Sequence, residues 1–207
     1  MSALRAIPVW LRAAFVVAVV TLVGSIIAVQ QLGRAEEARQ AALLESTDHG
    51  LVPEFAFVDQ SSRPFGLDQM VGKVSLVSFQ FTRCPGICKV MSVRLQEIYE
   101  AYASDPRLQI VTVSVDPGYD TPEVLTEYAS KFNVTDDRWR FLTGDFGKVK
   151  ELCEDGFHLP ADNLPGGHTS RFVLVDLEGR IRGYYDSLED DAMKKLAGDL
   201  PHWLEKI

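Results

Sequence analysis

The chain has 207 residues, 46% of them hydrophobic and 24% charged, which excludes a disordered chain, a collagen-like repeat and a disulfide-dense miniprotein. Its formal charge of −8 gives an acidic surface that repels phosphate backbones, so nucleic acid is not an expected partner. From Ala13 to Val29 the chain reads AAFVVAVVTLVGSIIAV, without a charge. At about 1.5 Å per residue this run spans about 25 Å, near the short end for a membrane-crossing helix. Trp10 and Leu11 extend it, and Trp10 suits the interface. Arg5 and Arg12 precede it, so residues 1–12 are expected in the cytoplasm and the rest of the chain outside it. A cleaved signal peptide has the same charged start. The single-pass anchor is favoured because the run is longer than a usual signal core and no clean A-x-A site follows. Both readings export the domain to the periplasmic or extracytoplasmic side of the inner membrane, where disulfides can form and persist.

Residues 30–50 are rich in Ala, Glu, Gln and Arg and are expected as a short exposed helix or tether, with His49 a solvated linker residue. Residues 1–50 hold four basic and four acidic groups, so the whole net charge belongs to residues 51–207. That stretch is long enough to bury a core without a disulfide.

Val74–Phe81 is a nearly continuous apolar run, as expected of a strand buried on both faces. It ends in a loop, Thr82-Arg83-Cys84-Pro85-Gly86. A helix is predicted from Ile87 to Ala103, with Val90, Leu95, Ile98 and Tyr102 as core positions. Leu108–Val115 is a second strand. Asp120-Thr121-Pro122-Glu123 is a helix start, with a capping residue, Pro at the first helical position and an acid in the first turn. That helix reaches Phe132. A short strand at Trp139–Leu142, a helix at Asp145–Cys153 and a hairpin of Arg171–Asp176 with Ile181–Tyr185 follow. The last element is an amphipathic helix, Asp190–Lys206. The order β-α-β-α-β-α-β-β-α implies one α/β domain with a central mixed sheet.

Cys84 and Cys88 form C-x-x-x-C where a central strand passes into a helix, the end of an open α/β sheet at which ligands gather. With the helix already begun, positions i and i+4 share one face and come within reach of a disulfide or of one metal ion. The helix N-terminus lowers thiol pKa, which makes thiolates accessible near neutral pH. Two thiolates suit a soft metal, copper(I) or zinc. Imidazole is a suitable third ligand, and His168, after Pro165-Gly166-Gly167 and before a strand, is the best placed candidate. Cys153 reads as a buried free thiol, Met91 as core, and His158 and His202 as surface or packing residues. Trp139 and Phe141 are expected to build core.

These motifs together resemble the Sco/SenC family of membrane-anchored copper proteins. The resemblance covers nearly all of residues 50–207. It rests on Phe81-Thr82-Arg83-Cys84-Pro85-Gly86-Ile87-Cys88, Ser114-Val115-Asp116-Pro117 with Asp120-Thr121-Pro122, Phe141-Leu142-Thr143-Gly144, His168-Thr169-Ser170, Val175-Asp176 and Gly179-Arg180-Ile181-Arg182-Gly183. It implies a thioredoxin-like fold and a copper site made by Cys84, Cys88 and His168, with Asp116 close by to orient a ligand or modulate charge. It also implies a role in delivering copper to, or maturing, the dinuclear copper site of cytochrome c oxidase. The implied partners are the copper-bearing oxidase subunit or another copper chaperone. The alternative is a membrane-anchored thiol–disulfide oxidoreductase with Cys84 and Cys88 as its redox pair. The chain departs from the family pattern at Lys89, where Pro is common, at Arg83, and at Gly167, where Asp is common. Arg83 and Lys89 are expected to make the thiol site locally positive, which favours thiolate and thiol–disulfide chemistry, or to form a rim that meets an acidic partner.

Overall fold

The computed structural model describes residues 8–206, so Arg5 and most of the expected cytoplasmic segment lie outside the described residues. The chain divides between Ser46 and Thr47 into two units. The first is built on one helix, α1 (Val9–Ser46), 38 residues long. It contains the apolar run and continues without a break into the Ala-, Glu- and Arg-rich stretch, whose residues favour helix. By length and composition it can cross a membrane. Its hydroxyls are satisfied along the helix itself: Thr21 donates to the Ala18 carbonyl at 2.9 Å and Ser25 to that of Thr21 at 2.8 Å.

The second unit is organised by strands β3 (Val74–Gln80) and β4 (Leu108–Ser114), in which every residue is buried. They pair in parallel from Val74↔Leu108 to Gln80↔Ser114, and β5 (Trp139–Thr143) extends the parallel block. On the other side β6 (Arg171–Val175) joins β3 antiparallel and β7 (Ile181–Asp186) closes the hairpin. The expected five strands are all present in one mixed sheet. Two more strands, β1 (Ala56–Asp59) and β2 (Pro64–Gly66), were not anticipated and add an antiparallel edge to β5. Strands of four and three residues offer too little alternation to be read. The seven-stranded order is β2-β1-β5-β4-β3-β6-β7. Buried Asp59 on β1 fixes that edge by accepting from Arg140 of β5 at 2.6 Å and from Arg63 at 3.0 Å.

Alternate residues of each buried strand face opposite layers. One set, with Val77, Phe79, Val111, Val113 and Leu142, joins a core with Cys153 and Phe157. The other includes Trp139 and Phe141, stacked at 5.1 Å, against Tyr99 of helix α2 (Ile87–Ala101) and Tyr128 of helix α3 (Pro122–Ser130). That layer also carries polar strand residues, and they satisfy one another. Trp139 Nε1 donates to Thr112 at 3.0 Å, Ser78 bonds Thr112 at 3.2 Å, and Gln80 donates to Ser78 at 2.9 Å. Ser92 of α2 in turn donates to Gln80 at 2.9 Å.

Helix α2 buries Cys88, Met91, Ser92, Leu95 and Tyr99. Val90, expected in the core, is 45% exposed, because the buried stripe runs through 88, 91, 92, 95 and 99 at helical spacing and leaves 90 on the opposite side. Helix α3 starts as read, with Thr121 as cap and Pro122 first in the helix. The helix expected at Asp145–Cys153 is α4 (Phe146–Glu151), which passes into a π-helical turn, Leu152–Gly156. Helix α5 (Asp190–Leu204) ends the described fold.

Candidate metal centre

The site forms where β3 leaves the sheet. The Cys84 N–H donates to the Phe81 carbonyl at 3.3 Å, which folds the exit into a turn, and Gly86 caps α2. Cys88 is the second residue of that helix, whereas Cys84 lies in the turn before it. The pair therefore does not share a helix face as i and i+4; the turn brings the sulfurs together instead. Cys84 is half-buried and Cys88 is 1% exposed. The Phe81 N–H points at the Cys88 sulfur at 3.5 Å.

His168 arrives through the sheet. Strand β6 runs antiparallel beside β3, so the entrance of β6 and the exit of β3 lie at the same end. The imidazole Nε2 is 3.1 Å from the Cys88 sulfur and 3.8 Å from the Cys84 sulfur. Its Nδ1 lies 3.0 Å from the Thr169 carbonyl, which can only accept, so Nδ1 carries the proton and the Nε2 lone pair faces the thiols. Phe81 stands edge-on to the ring, 5.5 Å away at 89°, and fixes its plane. The three ligand atoms lie within 4.8 Å of one another and are the one such cluster among the described residues. Two soft sulfurs and one oriented imidazole nitrogen suit a soft cation, copper(I) foremost.

The electrostatics differ from the sequence expectation in two respects. First, burial pushes the Cys88 thiol well above its ordinary value, overriding the helix terminus. Burial likewise lowers the pKa of His168, which favours the neutral ring. Without a metal the geometry is that of a Cys88 S–H directed at a neutral Nε2. A cation must displace that proton to gain the thiolate. Second, Arg83 does not lend its charge to the thiols. Its Nε donates to Asp116 at 2.6 Å, and its guanidinium lies 4.6 Å over the Tyr119 ring. With exposed Lys89, Asp116 and buried Asp120 alongside, the surroundings balance rather than being positive.

Asp116 thus holds the loop residue before Cys84 through Arg83. Sequence reasoning passed over its neighbour Asp120, which accepts from Thr82 and Ser114 behind the cysteine turn. Its position beside the Thr121 cap disguised it as part of a helix start. Cys153 is 1% exposed and away from the cluster, its thiol pushed up to about 12 by burial. Met91 is fully buried in the core layer. His158 is exposed, while His202 packs edge-on against Trp203 at 5.2 Å. His49 is exposed, but its ring meets Tyr184 at 5.0 Å and its N–H donates to Ile181, so it belongs to the second unit rather than to a solvated linker.

Comparison with known proteins agrees with these features. The family profile described as SCO1/SenC matches residues 45–205. The SCO1 protein homolog of Bacillus subtilis (strain 168) is 28% identical over 155 residues, covering 72% of this chain and 80% of the homolog. A solved structure of BsSco, described as a member of the Sco family of cytochrome c oxidase assembly proteins with a disulfide switch, superposes with a TM-score of 0.69 at 26% identity. It covers 77% of this chain and 96% of that one. The crystal structure of yeast Sco1 with copper bound has a TM-score of 0.56 at 27% identity, with 73% of this chain and 89% of that chain covered. The fold is thioredoxin-like.

Proposed function

The chain belongs to the SCO1/SenC family, and on that premise we propose that it binds one copper ion through Cys84, Cys88 and His168 and delivers it to the copper-bearing subunit of cytochrome c oxidase. The observation that carries the reading is the convergence of two thiols and an oriented imidazole nitrogen within 4.8 Å at the exit of β3. The copper-bound relative and the oxidase-assembly relative support copper as cargo and the oxidase as destination. In this reading Ala13–Val29 anchors the chain in the inner membrane once. Residues 1–12 lie in the cytoplasm, residues 30–46 act as a tether, and the unit from Thr47 onward works on the periplasmic side.

The residues divide the work. Cys88 and His168 are buried, so they hold the ion away from water. Cys84 is half-buried and is the ligand an incoming partner thiol reaches first. Copper(I) held there would be a soft cation suited to the thiolate donors of an approaching partner. Asp116 keeps Arg83 folded back and leaves the approach to Cys84 electrically balanced.

The test is the copper content of the oxidase in cells lacking this chain. It should fall, and recover with the wild-type chain but not with Cys84→Ser. Normal copper loading without the chain would overturn the reading.

A second reading has its own observation: both thiols are free and close enough to pair. Cys84, the more exposed, would attack a partner disulfide, and Cys88 would then release the partner. The partner disulfide gains two electrons and two protons to become two thiols, and Cys84 and Cys88 lose them to become a disulfide. A trapped mixed disulfide through Cys84 in Cys88→Ser supports this reading; none in the presence of oxidised partner excludes it.

A further inference from the structure

The turn that carries the cysteines is held from behind by a carboxylate. Asp120 is fully buried and, among the described residues, has no ion-pair partner. A carboxylate without a cation is tolerated in the interior only where several donors converge on it. Here three do. Oδ2 accepts from the Thr82 N–H at 3.1 Å and from the Ser114 hydroxyl at 2.5 Å, and Oδ1 accepts from the Thr82 hydroxyl at 2.5 Å. Two of the donors belong to Thr82, two residues before Cys84, and the third ends β4. Asp120 is itself fixed, since its N–H donates to the Asp116 carbonyl at 3.0 Å and the next residue caps α3. The end of β4, the start of α3 and the cysteine turn are therefore tied at one carboxylate.

We propose that Asp120 is a positioning residue for the thiol site. It holds Thr82, and through Thr82 it keeps the turn on the path that covers Cys88 and aligns both sulfurs with His168 Nε2. The copper consequence rests on the reading of Cys84, Cys88 and His168 as ligands; the covering of Cys88 does not. The clamp acts by hydrogen bonding rather than by charge. Asp120→Asn keeps one oxygen to accept from Thr82 N–H and Ser114, and its amide can donate to the Thr82 hydroxyl. Asp120→Ala removes all three bonds.

Cys153 provides an internal control, because it is as buried as Cys88 but its thiol donates to the Leu159 carbonyl, outside the clamp. The full-length chain in detergent, reduced and metal-free, is pulsed with iodoacetamide at pH 8, and each cysteine is read by mass spectrometry. Asp120→Ala should raise labelling of Cys88 by about tenfold or more relative to Cys153, through local opening of the turn. Asp120→Asn should stay within about threefold of wild type. Thr82→Val, which removes only one donor, should give about a threefold rise, and it carries the test if Asp120→Ala does not fold. An equal rise at Cys88 and Cys153 would mean general destabilisation and overturn the proposal, as would an unchanged Cys88 in Asp120→Ala or Thr82→Val. A parallel copper(I) titration should show affinity down about tenfold or more in Asp120→Ala and retained in Asp120→Asn. Failure of the wild type to bind copper would sink the ligand reading alone and leave the labelling result standing.

Discussion

Cys88 and Cys153 are equally inaccessible, each 1% exposed, and burial raises the thiol pKa of both. Their surroundings differ completely. Cys153 sits in a π-helical turn with the Leu159 carbonyl as its one hydrogen-bond acceptor. Cys88 faces His168 Nε2, a second thiol and the Phe81 N–H. Burial by itself makes a cysteine inert; what makes a site is burial with donors already aligned. Cys153 is core filling with a weak hydrogen bond, whereas the Cys88 pocket costs stability to desolvate and keeps its donors for a ligand.

Substitution and labelling separate the two thiols. Cys84→Ser or Cys88→Ser should lower copper(I) affinity by about a hundredfold or more, at or beyond the loss from removing an outer partner of a metal ligand, while Cys153→Ser leaves it unchanged. A competition titration with a copper(I) chelator checks this; equal loss in Cys153→Ser would erase the distinction. In the native metal-free chain at pH 8, Cys153 should react with iodoacetamide about a thousandfold more slowly than free cysteine, because a thiol pushed up to about 12 is about one part in ten thousand thiolate. Cys84, the half-buried thiol, should label first. The His168 contribution is smaller and has a definite sign. Its folded pKa lies below 6.5, so the unfolded chain binds the extra proton and stability is lost as pH falls through about 6.5 toward the folded value. Thermal unfolding of the metal-free chain between pH 7.5 and 5.5 should show this loss in the wild type and less of it in His168→Asn; identical pH profiles would contradict it. Smallest of all, Cys153→Ala should destabilise by about 1 kcal/mol, measured by denaturant unfolding.

The long apolar runs made most of the fold legible. Val74–Phe81 reads as a strand buried on both faces and Leu108–Val115, rich in β-branched residues, as a second strand, and Thr121-Pro122 marks its helix start directly. The edge strands β1 and β2 were hidden by their shortness. Val90 was misplaced because an apolar residue at a helix start does not reveal which way the face turns. At the site, C-x-x-x-C at a strand exit identified the thiols, but spacing could not decide between helix and turn for Cys84. The distance of His168 in sequence is closed only by the antiparallel pairing of β6 with β3. Arg83 and Lys89 read as positive charge beside the thiols because the Asp116 side of the balance depends on how two loops meet. Asp120 was invisible for the same reason, since its partners lie 38 and 6 residues away.

The proposed copper site joins Cys84, Cys88 and His168. It is tested most directly by X-ray absorption spectroscopy of the full-length chain loaded with one equivalent of copper(I). Two sulfur donors and one imidazole nitrogen are expected around a single copper, with the nitrogen lost in His168→Ala and one sulfur lost in Cys84→Ser. A wild-type spectrum with the same donors as His168→Ala, or with no sulfur donors at all, would contradict it.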